Sequence, residues 1–124
     1  AAAFVEREAR RGRGYSGLIL DPPSYGHGPG GRTWRLEKDL DGLLATCLRV
    51  SGAGPAFVLL TAHTPGIGGE RLAGSLARAL AGAIGPARGK MESGELVLNA
   101  KSGARLPLGS FARWSGAARP AGAR

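Results

Sequence analysis

Hydrophobic residues along the chain recur at two different spacings, and each spacing predicts a different element. Apolar residues three and four positions apart predict amphipathic helices over 34–50 and 70–84. Two short, uninterrupted apolar runs at 15–20 and 56–62 predict strands. Because these runs do not alternate with polar residues, we expect both strands to be buried on both faces, as in a parallel sheet.

The two ends of the chain complete the predicted order of elements. Residues 1–11 are rich in Ala, Glu and Arg and predict a helix that ends at the glycines that follow, with a short apolar stripe of Phe4, Val5 and Ala9. The segments 94–100 and 110–116 predict two strands that pair antiparallel, and 117–124 predicts a flexible tail. Strands that alternate with helices predict one small α/β domain, with parallel strands, flanking helices and a C-terminal antiparallel hairpin.

The loop after the first strand carries the most distinctive residues. It opens with Asp21-Pro22-Pro23 and continues through Tyr25 and several glycines. Ligands of open parallel sheets bind at the carboxyl ends of the strands, so we expect the Asp21 carboxylate to accept a hydrogen bond from an N–H donor there. The prolines fix the backbone and should leave rigid, unpaired carbonyls beside it. Tyr25 either stacks on a flat base or packs within the loop.

Two further loop residues are candidates for substrate contact. Gly26 has no side chain and would let the loop approach a substrate closely. His63 follows the second strand, at the same predicted edge of the sheet as Asp21. It contacts substrate or simply occupies a turn. No Cys/His cluster has metal-ligand spacing, so we predict no metal site.

Composition limits the possible settings of the protein. The chain has a net charge of +8, from 17 basic residues of which 14 are Arg. This excess points to a polyanionic partner such as RNA, although an arginine-rich coding composition gives the same bias. The single cysteine, Cys47, cannot form an internal disulfide and fits the reducing cytoplasm. No apolar run approaches the ~20 residues that span a bilayer.

Three stretches together resemble a known enzyme family. They are "FVEREARRGRGYSGLILDPPSYGHGPGGRTWRLEKDLDGLL", "FVLLTAHTPG" and "GELVLNAKSGARLPLGSFARW". They are similar to the C-terminal half of class I S-adenosylmethionine-dependent methyltransferases, within which the group that acts on large-subunit ribosomal RNA is the most similar. The resemblance implies that residues 1–116 form the last four strands of a seven-stranded, Rossmann-like catalytic domain.

The resemblance also implies the site and its cofactor. Residues 21–25 correspond to the motif where the methyl donor meets the base, which adds Pro23 and Ser24 to the substrate contacts and makes Asp21 a cofactor contact as well. The glycine-rich loop that holds S-adenosylmethionine is expected in an N-terminal half that precedes this chain. The isolated chain is therefore expected to bind S-adenosylmethionine poorly and to be inactive alone.

The residue types near the motif favour one target atom. Methylation of a cytosine carbon needs a cysteine nucleophile, whereas Ser24 and residues 61–64 occupy the positions where related enzymes place it. Cys47 lies on the apolar face of a helix, where we expect it to pack. The sequence therefore favours transfer to a base nitrogen, with Asp21 and the Pro22 carbonyl orienting the amine and Tyr25 stacking.

Two alternatives remain open at this point. One is a basic RNA-binding or interaction module without catalysis, and the other is a methyltransferase that acts on protein or small molecules.

Overall fold

The computed structural model describes residues 2–51, 54–86 and 88–116, so the predicted tail over 117–124 lies outside the described residues. The elements in chain order are α1 (Ala2–Arg10), β1 (Gly17–Leu20), β2 (Tyr25–His27), β3 (Thr33–Arg35), α2 (Leu36–Arg49), β4 (Phe57–Ala62), α3 (Gly69–Ile84), β5 (Gly89–Asn99) and β6 (Arg105–Gly116). A short 3-10 turn at Pro29–Gly31 lies between β2 and β3.

The main sheet has four strands in the order β1-β4-β6-β5. Strands β1 and β4 are parallel, whereas β6 is antiparallel to both of its neighbours, β4 and β5. Strand β5 therefore runs in the same direction as β1 and β4. This arrangement confirms the predicted α/β class and its antiparallel hairpin, with the last strand of the hairpin inserted next to β4.

The core lies between the sheet and helices α2 and α3. Its largest fully buried side chains are Leu36, Leu44, Leu60, Leu72, Leu76 and Leu80. Burial of a leucine side chain stabilises a fold by about 1.5–3 kcal/mol, so these residues hold both helices to the sheet. The predicted spacing of three and four residues is confirmed in both helices, and Cys47 is buried in α2 as expected.

The start of α2 depends on the preceding hairpin. The sequence predicts a helix from residue 34, but Trp34 and Arg35 pair with β2 and the helix begins at Leu36. The Asp39 carboxylate accepts a hydrogen bond from the Arg35 backbone N–H at 2.8 Å. An acidic side chain in the first turn also interacts favourably with the helix dipole.

Two expectations about burial are wrong. Strand β1 is not buried on both faces, because it pairs only with β4 among the described strands and Ile19 is 71% exposed. In α1, Phe4 is exposed and Glu8 is buried instead. Glu8 is satisfied there by the Tyr15 hydroxyl, which donates to its carboxylate at 2.8 Å. Within the described residues, no helix is long and apolar enough to cross a membrane.

The strands extend further than the sequence pattern predicts. Strand β5 begins at Gly89 rather than at residue 94, and β6 begins at Arg105 rather than at residue 110. The last residue of β4, Ala62, pairs with Ser110. Residues 96–109, which we call the arm, therefore extend beyond β4 and pair only with one another.

Candidate active site

Asp21 lies at the carboxyl end of β1, one residue after the strand ends at Leu20. The proline that follows, Pro22, is buried, whereas Pro23, Ser24 and Tyr25 are exposed. Pro22 therefore anchors the Asp21-Pro22-Pro23 turn beneath a polar surface. The Asp21 side chain is 58% exposed.

Two residues from the neighbouring strand and loop hold the Asp21 carboxylate. The Thr61 hydroxyl donates to Asp21 Oδ1 at 2.7 Å, and His63 Nε2 lies 3.2 Å from the same oxygen. Among the described residues, none donates to Asp21 Oδ2. The carboxylate thus has one oxygen bound within the protein and one available to a ligand.

His63 is more than a loop residue that faces solvent. Its second ring nitrogen, Nδ1, is hydrogen-bonded to the Leu108 carbonyl in the arm. Its side chain remains 52% exposed, so substrate contact by His63, as predicted from the sequence, stays a prediction. The contacts to Asp21 and to the arm had no signal in the sequence, because the paired residues are more than 40 positions apart.

The loop after the prolines is tied to two other elements. The Trp34 indole Nε1 donates to the Pro23 carbonyl at 2.7 Å, and the Ser24 and Thr64 hydroxyls lie 2.6 Å apart. The expectation of unpaired carbonyls is therefore wrong for Pro23, because the β2–β3 hairpin folds Trp34 back onto it. In the part of the chain that is described, no donor reaches the Pro22 carbonyl.

Tyr25 lies in strand β2, not in an irregular loop. Its hydroxyl is 3.2 Å from His27 Nε2, and its ring packs edge-on against the His27 ring. The Arg35 guanidinium lies over the Tyr25 ring, 5.6 Å from its centre. Half of Tyr25 is still exposed, so the ring is held within the hairpin and also reaches solvent. Gly26, which lies between Tyr25 and His27, has open space where a side chain would lie.

The sequence analysis did not predict this hairpin, the contact of Trp34 with Pro23 or the contact of Thr61 with Asp21. The segments around Tyr25 and Trp34 are short and aromatic and flank a Pro-Gly-Gly turn, which is the available signal for a hairpin. Thr61 gave no such signal, because a threonine within a strand is common.

A groove of about 830 Å³ lies beside His63. The β4–α3 loop and the N-terminal end of α3 form one wall, and residues 93–95 and 107–110 of the β5–β6 hairpin form the other. Among the described residues, its charged lining residues are Glu70 and Glu95, and no Arg or Lys lines it. The groove therefore suits neutral or hydrogen-bond-donating groups rather than phosphates.

Gly69, the first residue of α3, is explained by packing. A Cβ on Gly69 would lie 2.6 Å from the backbone nitrogen of Gly94 in β5. Helix α3 and strand β5 can approach this closely only because Gly69 lacks a side chain. The β4–α3 loop is therefore a turn into a helix, held by packing against β5.

The basic residues divide into paired and unpaired groups. Arg11 and Arg13, which follow α1, pair with the buried Glu8. Arg32, Arg35, Lys101 and Arg105 are exposed, and none of them takes part in the ion pairs of the described residues. Among the same residues, no cluster of His, Cys, Asp and Glu could hold a metal ion.

Comparisons with known proteins give matches among solved structures only. No protein-family model matches the sequence, and no curated protein matches it. The structure is similar to a SAM-dependent methyltransferase from Agrobacterium tumefaciens, with a TM-score of 0.78 and 29% identity over 93% of this chain. It is also similar to SMU.776, a protein assigned to the methyltransferases and crystallised with SAH, with a TM-score of 0.54 and 14% identity over 90% of this chain.

The chain spans 37% and 29% of the lengths of these two proteins. The similarity to SMU.776 concerns the fold alone, whereas the A. tumefaciens enzyme also shares more than a quarter of the aligned residues. The observed sheet, the flanking helices and these similarities agree with the partial Rossmann-like domain that the sequence predicts. The chain therefore has the fold of part of a class I S-adenosylmethionine-dependent methyltransferase.

Proposed function

We propose that this chain forms the substrate-side part of an S-adenosylmethionine-dependent methyltransferase that modifies a base nitrogen in large-subunit ribosomal RNA. The observation that carries the proposal is the pair of free acceptors after β1. Thr61 and His63 occupy Oδ1 of Asp21, while Oδ2 and the Pro22 carbonyl have no donor among the described residues.

Two acceptors suit an exocyclic amino group, which carries two hydrogens. In the proposed reaction, Asp21 Oδ2 and the Pro22 carbonyl each accept one of them, so the nitrogen is held in one orientation. S-adenosylmethionine, when bound, supplies an electrophilic methyl group on its sulfonium sulfur. The sulfur–carbon bond would break as the nitrogen–carbon bond forms, S-adenosylhomocysteine would leave, and the methylated amine would lose a proton to water. Tyr25, half exposed beside this point, stacks against the base.

The described residues fit contacts to the substrate amine better than contacts to the nucleoside part of S-adenosylmethionine. The turn at 66–69 is glycine-rich, but its Gly69 packs against Gly94, and among the described residues the groove that it lines carries Glu70 and Glu95 and no Arg or Lys. We therefore propose that residues beyond this chain hold most of S-adenosylmethionine, and that Asp21 and Pro22 border the methyl group. The two similar structures, one a SAM-dependent methyltransferase and one with bound SAH, support this choice of donor.

The unpaired cations support RNA as the substrate. Arg32 and Arg35 belong to the β2–β3 hairpin, which follows the carboxyl end of β1. Lys101 and Arg105 lie at the tip of the arm, which follows the carboxyl end of β5. Because β5 and β1 run in the same direction, both cation pairs extend from the edge of the sheet that carries Asp21. They can bind phosphates on either side of a base that enters at Asp21. A ribosomal substrate also implies the cytoplasm.

The test compares this chain with a longer protein that carries about a hundred more residues upstream, a typical domain increment. Calorimetric titration with S-adenosylmethionine should give binding by the longer protein and little or none by the chain alone. Transfer of a labelled methyl group to ribosomal RNA should then fail for Asp21→Ala in the longer protein, while RNA binding persists. Asp41→Asn, which changes a carboxylate on α2, is the matched control and should remain active.

Other outcomes would redirect the proposal. Tight S-adenosylmethionine binding by the chain alone would mean that the cofactor pocket lies within these loops. Absence of binding by both proteins would contradict the methyltransferase function and favour a basic RNA-binding module. Negligible RNA binding at physiological salt, with S-adenosylmethionine still bound, would point to a protein or small-molecule substrate.

A further inference from the structure

His63 joins two features that the sequence places far apart, the Asp21 carboxylate and the arm. Its Nε2 lies 3.2 Å from Asp21 Oδ1, and its Nδ1 is bonded to the Leu108 carbonyl. Both partners are acceptors. Both contacts can be hydrogen bonds only when both ring nitrogens of His63 carry hydrogens.

A β-bulge makes the Leu108 carbonyl available. Leu96 pairs with Gly109, but the next residue, Val97, pairs with Pro107. Leu108 is therefore the extra residue of β6, without a partner in the register of β5. An extra residue at a bulge is left out of the ladder, which here frees its carbonyl for His63.

Gly109 allows this approach. Its φ is +139°, a conformation that favours glycine, and a Cβ there would lie 2.2 Å from the Ala62 carbonyl oxygen and 3.0 Å from His63 Nδ1. The arm can therefore lie against His63 only with glycine at this position. The bulge, Gly109 and the ring form one continuous connection from the arm to Asp21.

We propose that His63 is a positioning residue for Asp21, anchored on the Leu108 bulge of the arm. It occupies Oδ1 together with Thr61 and so turns Oδ2 towards the substrate amine. This inference rests on the proposed function for its purpose, because it concerns the same carboxylate. The connection itself is a property of the chain and can be tested without methyl transfer.

The first experiment detects the two hydrogen bonds in the chain by NMR. With ¹⁵N-labelled histidine, the imidazole N–H signals of His63 and His27 are compared at about pH 5, where an ordinary histidine carries both hydrogens. Both ring N–H groups of His63 should exchange slowly with water. The Nδ1–H of His27, which has no acceptor among the described residues, should exchange fast and serves as the internal control.

Variants assign each bond separately. Asp21→Ala should make the Nε2–H of His63 exchange at least ten-fold faster and leave its Nδ1–H protected. Gly109→Ala should expose the Nδ1–H. Gly103→Ala is its control, because Gly103 also has a positive φ in the arm but a Cβ there meets no atom within 4 Å. Equal, fast exchange of the His63 and His27 Nδ1–H signals in the unmodified chain would overturn the proposal.

Kinetics of the longer protein then test the positioning role. His63→Gln can still donate towards Asp21, whereas the shorter side chain in His63→Asn can reach only the Leu108 carbonyl. We expect kcat to fall 10- to 100-fold in His63→Asn and less than ten-fold in His63→Gln, with KM for S-adenosylmethionine unchanged. Equal losses in both variants would contradict the inference. If the unmodified longer protein transfers no methyl group, the proposed function fails while the NMR result still decides this inference.

Discussion

The indole nitrogen of Trp34 donates a hydrogen bond to the carbonyl of Pro23 at 2.7 Å. Trp34 belongs to β3 and packs against the hydrophobic core, so its ring connects the core to the Asp-Pro-Pro loop. The next residue of that loop, Ser24, accepts a hydrogen bond from the backbone of Leu36, the first residue of α2. The loop is thus fixed from the hairpin and from the helix, although it is exposed.

The first prediction follows from this bond. Trp34→Phe keeps an aromatic ring but removes the N–H donor, which should lower the free energy of unfolding by about 1 kcal/mol in urea titrations. Hydrogen exchange at the Leu36 amide should also become faster, because the loop loses one of its anchors. The comparison is Trp114→Phe, since the Trp114 indole nitrogen has no partner within the described residues. That change should destabilise through packing and leave exchange at Leu36 close to that of the unmodified chain. Equal exchange in both variants would contradict the anchoring role of Trp34.

A second prediction concerns the contact between α3 and β5. Gly69→Ala places a methyl group 2.6 Å from the Gly94 backbone and should cost about 1–3 kcal/mol of stability through overpacking. Gly82→Ala is the matched control, because Gly82 is an exposed residue of the same helix with open space around it. It should stabilise the chain by up to about 1 kcal/mol through helix propensity. Thermal unfolding of both variants measures the difference, and changes of the same sign would contradict the packing argument.

The third prediction concerns the thiol of Cys47. The side chain is 2% exposed, and desolvation by burial raises the pKa of the thiol above its usual value. Fewer thiolates are present at a given pH, so iodoacetamide at pH 8 should modify the folded chain slowly and the urea-unfolded chain rapidly. Ser102→Cys supplies an exposed thiol in the turn of the arm and should react fast in the folded state. Rapid single modification of the folded, unmutated chain would contradict burial of Cys47.

A fourth prediction concerns stability in acid. Hydrogen bonding by Ser75, and then by Arg78, lowers the pKa of Asp41, and Lys90 and Arg113 lower the pKa of Glu92 in the same way. A carboxyl group whose pKa is lower in the folded state stabilises the fold fully above its unfolded pKa of about 4. That contribution is lost as the pH falls through the lower, folded value. The free energy of unfolding should therefore decrease below about pH 4, and urea titrations between pH 6 and pH 2 measure it.

Asp41→Asn and Glu92→Gln test the origin of this acid dependence. Each variant removes one of the titrating groups, so the decrease below about pH 4 should be smaller in each. Because Asp41 is largely exposed, Glu92 is partly exposed and both are screened by solvent, the individual effects should be small. An unchanged acid profile in the double variant would contradict the assignment.

The fifth prediction concerns cations of the β2–β3 hairpin and of the arm tip, which extend from the edge of the sheet that carries Asp21. Arg32→Ala, Lys101→Ala and Arg105→Ala together should weaken RNA binding, and the slope of log K against log salt should become shallower. Each lost phosphate contact changes that slope by about 0.7 on single-stranded RNA. Arg7→Ala with Arg10→Ala is the control, because helix α1 precedes the amino end of β1, away from Asp21. A larger effect from the α1 pair would favour the basic interaction module.

Local patterns accounted for the elements that local physics controls. The three- and four-residue spacing of leucines specifies α2 and α3 to within two residues at each end, because helical geometry repeats that spacing on one face. The apolar run at 56–62 specifies β4 in the same way. The β2–β3 hairpin was missed because each of its strands has only three residues, too few for a period to be recognised.

The sequence alone determined the α/β class, the order of most helices and strands, the burial of Cys47 and the Asp-Pro-Pro turn at a strand end. Only the tertiary structure decided that β6 lies between β4 and β5, that β1 is exposed at Ile19, and that Asp21 meets Thr61 and His63. The physical reason is the range of the interactions. Helix periodicity and turn chemistry act between residues a few positions apart, whereas strand order and the Asp21–His63–Leu108 connection join positions that only the packed sheet brings together.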